Sequence, residues 1–250
     1  TCLGQDHFEE KAEALLEQMT LEEKVGQMVQ VSSDWDLTGP APEDDYRQPK
    51  AELLQSGLLG SMLNVTGVEQ TREAQRQVLE NSRLGIPLIF AYDVIHGYQT
   101  MFPIPLGMAA SWEPGLVEKA ARIAAMEASS AGIHWTFAPM VDVSRDPRWG
   151  RVMESAGEDP YLNEVMADAA VRGYQGDDLQ AFDTIAACAK HFAAYGFTED
   201  GKDYNTALVD EATLRDVVLP PFQACLEAGV ATFMNGFNTL NGIPVTADAG

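Results

Sequence analysis

The sequence predicts an α/β fold, a TIM-type (β/α)8 barrel with about six of its eight strands present in the chain. Two observations predict it. Apolar runs without polar alternation recur and alternate with segments of helical periodicity, the pattern of a parallel sheet covered on both faces. The length, 250 residues, is also what a single barrel of this kind occupies.

The elements follow in chain order. His7 to Met19 places Phe8, Ala12, Leu15, Leu16 and Met19 at helical spacing. Thr20 followed by Glu23 is a capping box that opens a helix over Leu21 to Gln27. Met28 to Val31 reads as a short strand, and Asp34 to Pro49, rich in Pro and Asp, as a long loop of functional size. Gly60 to Val65 is the second strand, Gln70 to Arg83 a helix ended by Gly85 and Pro87, and Leu88 to Tyr92 the third strand. Pro114 to Ala131 has Pro in its first turn and Gly132 beyond its end, as helices do. Trp135 to Val141, Ile185 to Phe192 and Val230 to Phe237 are the remaining strands, with helices over Tyr161 to Tyr174 and Glu211 to Gly229. No repeat, low-complexity tract or linker divides the chain. Residues 1–250 therefore read as one barrel domain, incomplete because closure calls for two more strands.

The charge narrows the partners. With 16 basic and 38 acidic residues the net charge is −22, which repels nucleic acid and anionic membrane and favours a neutral or cationic small molecule. The same charge also suits the plain acidic surface of an exported protein. Cys2, Cys188 and Cys225 are too few and too far apart for a disulfide framework or a metal-binding pattern. The apolar neighbours of Cys188 and Cys225 predict that both are buried. Cys2, beside an N-terminal Thr, fits the lipid-modified cysteine of a processed bacterial protein. No run reaches the length of a transmembrane helix, and no metal or cofactor is expected.

Barrel sites lie where the strands end, so the residues after each apolar run are the candidates. The third strand delivers Asp93 and His96. The fourth delivers Asp142 and then Arg145, Asp146, Arg148, Trp149, Arg151 and Glu154, within Val141 to Pro160, a stretch dense in acids and bases. The fifth delivers Lys190 and His191, and the sixth Met234, Asn235, Phe237 and Asn238. Each has a plain structural reading as well: Asp93 caps a turn, Lys190 pairs with an acid such as Glu154, His191 is a satisfied core histidine, Met234 is core, and Trp149 fills a gap or faces a sugar ring. Successive strand exits that carry charge are the stronger signal.

Three chemistries use such a set. A metal hydrolase would draw on His96, His134, His191, Asp93 and Asp142, but no metal-ligand spacing is present. A Schiff-base lyase would use Lys190, which nearby carboxylates would instead hold protonated. Glycoside hydrolysis, with donors and acceptors of both signs around a neutral polyol, fits best.

The motifs MTLEEKVGQM, AYDVIHG, FPIPLGMAASW, APMVDVSRDPRWGRVMESAGEDPYL, AKHFAAYG, GKDYNT and MNGFNTLNGIPVTADAG run in order over nearly the whole chain. In this the sequence resembles the N-terminal barrel domain of glycoside hydrolase family 3, nearest its bacterial periplasmic β-glucosidases. The resemblance implies a retaining β-glycosidase of exported, periplasmic or secreted origin acting on small carbohydrates. It implies that the sugar in the glycone subsite is bound by Asp93, Arg151, Lys190, His191 and Met234, with Arg148, Trp149 and Glu154 supporting the loop. Phe237 stands where many members place a tyrosine that supports the nucleophile. The family nucleophile, an aspartate, is expected roughly twenty residues beyond Asp248, at the end of the next barrel strand. Asp248 itself matches a loop aspartate and is not assigned that role. The acid/base glutamate comes from a following domain of the same polypeptide, so neither catalytic carboxylate is expected within this chain. The alternatives are a β-xylosidase of the same family and a non-catalytic sugar-binding or structural fragment. An N-acetylglucosaminidase is disfavoured because AAYGFTEDGKDYN lacks the histidine of that branch.

Overall fold

A computed structural model of the protein describes residues 2–32 and 47–248, with side chains from Phe8 to Ser32 and from Glu52 to Asp248. The chain divides into two compact units, Thr1–Ala91 and Tyr92–Gly250.

The first unit runs α1 (Cys2–Gln18), α2 (Leu21–Gly26), β1 (Gln30–Ser32), α3 (Arg47–Ser56), β2 (Ser61–Leu63), α4 (Val68–Asn81) and β3 (Ile89–Tyr92), whose last residue opens the second unit. The capping box is formed: Glu23 N donates to Thr20 Oγ1 at 3.2 Å, and Thr20 N to Glu23 Oε2 at 2.8 Å. Arg83 closes the same corner by donating to both oxygens of Glu23. β1, β2 and β3 pair in parallel, Gln30 opposite Ser61 and Ser61 opposite Ile89. The helix α4 buries Thr71, Ala74 and Val78 along one stripe. From that helix Gln75 accepts from Leu88 N and donates to Leu88 O, which fixes the start of β3. Residues 33–46, most of the loop expected from Asp34 to Pro49, lie outside the described residues. The end of that expectation is corrected: Arg47–Ser56 is helical and begins with Pro49 in its first turn, where the missing N–H has no helical partner to lose.

The second unit holds α5 (Pro105–Ala109), α6 (Pro114–Ser130), β4 (Trp135–Thr136), α7 (Pro160–Gln175), β5 (Cys188–Phe192), β6 (Thr206–Ala207), α8 (Glu211–Thr213), α9 (Pro220–Glu227), β7 (Thr232–Asn235), β8 (Thr239–Leu240) and β9 (Ile243–Pro244). The end of β3 is bonded to β4 through Phe137 N to Tyr92 O, and Val94 N donates to Thr136 Oγ1. β4 lies beside the start of β5, with Thr136 N to Ala186 O and Ala186 N to His134 O both at 2.8 Å. β5 pairs in parallel with β7, Cys188 opposite Thr232 and Lys190 opposite Met234. Gln175 ties the starts of these two strands together, its Oε1 accepting from Ala187 N and Ala231 N. The expected strands near Met28, Gly60, Leu88, Trp135, Ile185 and Val230 are therefore all present; β1, β2 and β3 pair in parallel, as do β5 and β7, and an isolated parallel bridge joins Trp135 to Ala186.

Helix packing on this sheet depends on small residues. Ala120, Ala121, Ala124, Ala125 and Ala128 form the buried face of α6, and a Cβ on Gly173 of α7 would lie 2.4 Å from Glu118 O. The continuous helix expected over Glu211 to Gly229 is broken into α8, a π-turn at Leu214–Val218 and α9. Pro220 has no N–H to continue the helical ladder, and Leu219 N bonds back to Leu214 O instead. β6, β8 and β9, which periodicity does not reveal, form a separate small sheet. Cys188 and Cys225 are buried as expected, while the Cys2 side chain lies outside the described residues. No helix among the described residues is long and apolar enough to cross a membrane.

Candidate functional site

The site begins where β5 ends. Lys190 belongs to the sheet by its backbone, N donating to Pro139 O and O accepting from Val141 N. The register against β7 then shifts between Lys190 and Phe192, an irregularity of the kind that re-aims side chains. The Lys190 stem is buried, 3% exposed, and its Nζ reaches Asp93 Oδ1 at 2.9 Å. Asp93, just past β3, is 45% exposed. A buried ammonium thus ends beside a carboxylate open to solvent, a donor and an acceptor side by side.

The stretch after β4 carries the second pair. Arg151 donates Nε and Nη2 to the two oxygens of Glu154 at 2.7 and 2.8 Å, a bidentate pair across a tight turn. Burial opposes the charge of Arg151, but the hydrogen bonds and charge of Glu154 outweigh it and the guanidinium pKa is raised. Burial likewise pushes Glu154 up, yet Arg151, then Lys190 and His191, outweigh burial and hold the carboxyl below its usual 4.5. The pairing of Lys190 with Glu154 is thus corrected: the lysine bonds Asp93, and Glu154 feels it only through its charge.

Arg148 is exposed and bonded to neighbouring Asp146 through Nε and Nη2. Of the two roles open to Trp149, the structure selects the filler: it is 1% exposed, donates Nε1–H to Asp203 Oδ1 at 3.2 Å and packs edge-on against Tyr195 at 5.2 Å. It occupies the space beneath the loop and offers no face to a ring.

His191 joins the halves. Its Nδ1 lies 2.8 Å from Asp142 Oδ2, which also accepts from the His191 backbone N–H at 3.1 Å. Tyr195 meets the imidazole edge-on at 5.0 Å, and the Arg151 guanidinium sits 5.7 Å from the same tyrosine ring. Phe237, 60% exposed, lies 6.4 Å from the imidazole and 5.3 Å from the exposed Tyr204. Met234 is the register partner of Lys190. Asp93, Arg151, Lys190, His191 and Met234 are thus linked through direct contacts, shared neighbours or strand pairing within the second unit.

Tyr195 and Asp203 are parts of this cluster that sequence reasoning did not single out, and Asp142 was a candidate without a role in the sugar site. Asp142 stood among the strand exits, and its partner is visible only in three dimensions. Tyr195 gave no signal, because an aromatic four residues after His191 reads as core. The histidines proposed for a metal set are dispersed, His96 bonding Phe102 O and His191 bonding Asp142. No group of three or more potential ligands gathers among the described residues.

An α/β chain of parallel strands whose exits gather charged side chains of both signs is built like the α/β folds that bind ligands at the carboxyl ends of their strands. Residues 20–249 match the glycosyl hydrolase family 3 N-terminal domain, and the chain belongs to that family. It is 43% identical over 235 residues to a periplasmic beta-glucosidase of Salmonella typhimurium, covering 94% of this chain and 30% of that protein. It is 34% identical to a putative beta-xylosidase of Formosa agariphila, covering 94% of this chain and 33% of that one. Among solved structures, a beta-glucosidase of Listeria innocua in complex with isofagomine superposes with a TM-score of 0.87 at 45% identity, over 95% of this chain and 33% of that chain. The family's N-terminal domain is a TIM-type barrel, and this likeness gives the chain that fold class. The chain spans about a third of the length of these relatives.

Proposed function

We propose that this chain is the glycone-binding portion of a retaining, exo-acting β-glucosidase that releases terminal non-reducing β-D-glucose from oligosaccharides or glucosides. Asp93 accepts from sugar hydroxyls, Lys190, His191 and Arg151 donate to them, and Met234 supplies an apolar contact. Glu154 holds Arg151 in place, and Arg148 and Trp149 brace the loop. The nucleophilic aspartate and the acid/base glutamate belong to the rest of the same polypeptide. The protein acts in the bacterial periplasm or outside the cell, anchored by lipid at Cys2 where that residue is modified.

The observation that carries this reading is the Lys190–Asp93 pair, a buried ammonium beside an open carboxylate brought together from the exits of β5 and β3. A neutral polyol needs such alternation of donor and acceptor. The Salmonella and Listeria relatives, both beta-glucosidases by name, favour glucose. A β-xylosidase is the second reading, favoured by the Formosa relative.

The deciding assay uses the full-length natural polypeptide on aryl β-glucoside and aryl β-xyloside. Faster turnover of the glucoside is expected, and faster turnover of the xyloside selects the second reading. Turnover of neither, with glucose still bound, selects a non-catalytic sugar-binding protein. The 250 residues alone are expected to be inactive, and robust hydrolysis by them would place the nucleophile inside this chain.

A further inference from the structure

We infer that Asp142 is a positioning residue that fixes the ring of His191 with Nδ1 protonated and leaves Nε2 to the ligand. The inference rests on the assignment of His191 to the glycone clamp.

Both side chains are nearly sealed, His191 at 2% and Asp142 at 1% exposure. One oxygen, Oδ2, takes the ring nitrogen at 2.8 Å and the backbone N–H of the same histidine at 3.1 Å. The other oxygen, Oδ1, has no hydrogen-bond partner among the described residues. The hydrogen bonds of the carboxylate therefore run to His191 alone. Oδ2 already accepts the backbone N–H, so it stands as the acceptor toward the ring as well and the proton between them sits on Nδ1; Nε2 is the atom left to meet a sugar hydroxyl, donating to it where it too carries a proton.

The frame around the pair is equally specific. Tyr195 stands edge-on to the imidazole and Phe237 lies tilted against it at 38°, which blocks rotation of the ring. Ser155 Oγ donates to Asp142 O at 2.7 Å. The loop that presents Arg151 and Glu154 therefore also anchors the aspartate that orients His191. A small error in ring placement propagates to the sugar, where misplacement by about 1 Å lowers rate on the order of a hundredfold.

The test uses the full-length polypeptide. Nitrogen NMR of ring-labelled histidine, with the His191 signal identified by its loss in His191→Ala, is expected to report a proton on Nδ1 in the wild type. A bare Nδ1 in the wild type overturns the inference. In kinetics, Asp142→Asn is expected to keep its Tm within a few degrees and lose about 10- to 100-fold in kcat/KM. In a His191→Ala background the same substitution is expected to cause no further loss beyond about twofold, because both act through one group. Wild-type kcat/KM in Asp142→Asn while His191→Ala is impaired, or losses that multiply in the double variant, overturn this inference alone. Wild-type kcat/KM in His191→Ala overturns the assignment of His191 and this inference with it.

Discussion

Lys190 Nζ lies 2.9 Å from Asp93 Oδ1, the lysine side chain 3% exposed and the aspartate 45% exposed. The asymmetry decides how each partner responds to mutation. Removing Asp93 leaves an ammonium whose stem is enclosed, while removing Lys190 leaves a carboxylate that water already reaches. Asp93→Ala is expected to destabilise the full-length protein by about 1–3 kcal/mol in urea unfolding, toward the lower end because solvent screens the pair. Lys190→Met, which fills the same channel without charge, is expected to be near neutral for stability and to lower kcat/KM on aryl β-glucoside by at least about tenfold. Unchanged kcat/KM in Lys190→Met would remove the lysine from the sugar clamp.

The Arg151–Glu154 pair predicts a pH dependence with a definite sign. Burial raises the Glu154 pKa and Arg151 lowers it more, so the folded value lies below the usual 4.5. A carboxyl depressed on folding binds fewer protons in the native state than in the unfolded one. Its contribution to stability is present above 4.5 and is lost as pH falls through the folded value. The Tm difference between wild type and Glu154→Gln is therefore expected to be largest near about pH 7 and to shrink steadily below about pH 4. A difference that stays constant or grows on acidification would show that the pair does not stabilise the fold through ionised Glu154.

Much of this was legible in the chain because the signals are local. The capping box at Thr20 and Glu23 is a three-residue pattern, and it forms as written. The apolar runs that precede Asp93, Asp142, Lys190 and Met234 are long enough to read as buried strands, so the strand exits could be named before any contact was known. What stayed hidden depends on partners distant in sequence. Glu154 was the acid named for Lys190 in the sequence, and only the three-dimensional contact shows that the lysine reaches past β4 to Asp93 instead. Trp149 reads equally as platform or filler until Tyr195 and Asp203 are seen to enclose it. The break at Pro220 was visible as a residue, but the surrounding periodicity of Glu211 to Gly229 masked its effect.

The buried thiols give a test of the second unit's integrity. Burial raises the Cys188 pKa, and burial followed by the charges of Asp168 and Cys188 pushes Cys225 up to about 12. Thiolate is the reactive form, so both residues are expected to resist Ellman's reagent in native protein and to react promptly once it is unfolded in guanidinium. Peptide mapping by mass would locate the label. Rapid native labelling of either cysteine would mean that the packing around β5 and α9 opens readily.

Gly196 separates stability from positioning. A Cβ there would lie 2.4 Å from Val143 O, so the segment after β5 and the strand exit at Asp142 approach backbone to backbone. The preceding residue, Tyr195, touches His191, Trp149 and Phe237. Gly196→Ala must push these two segments apart, at an expected cost of about 1–3 kcal/mol for overpacking. Gly173→Ala meets an equally close backbone oxygen, Glu118 O at 2.4 Å, between α6 and α7. Both variants are expected to lose comparable stability in urea. Only Gly196→Ala should also lose about tenfold or more in kcat/KM per folded molecule, because the shift passes through Tyr195 to the imidazole and to Arg151. Equal kcat/KM in the two variants would mean that the contact between Tyr195 and His191 packs the protein without aiming the histidine.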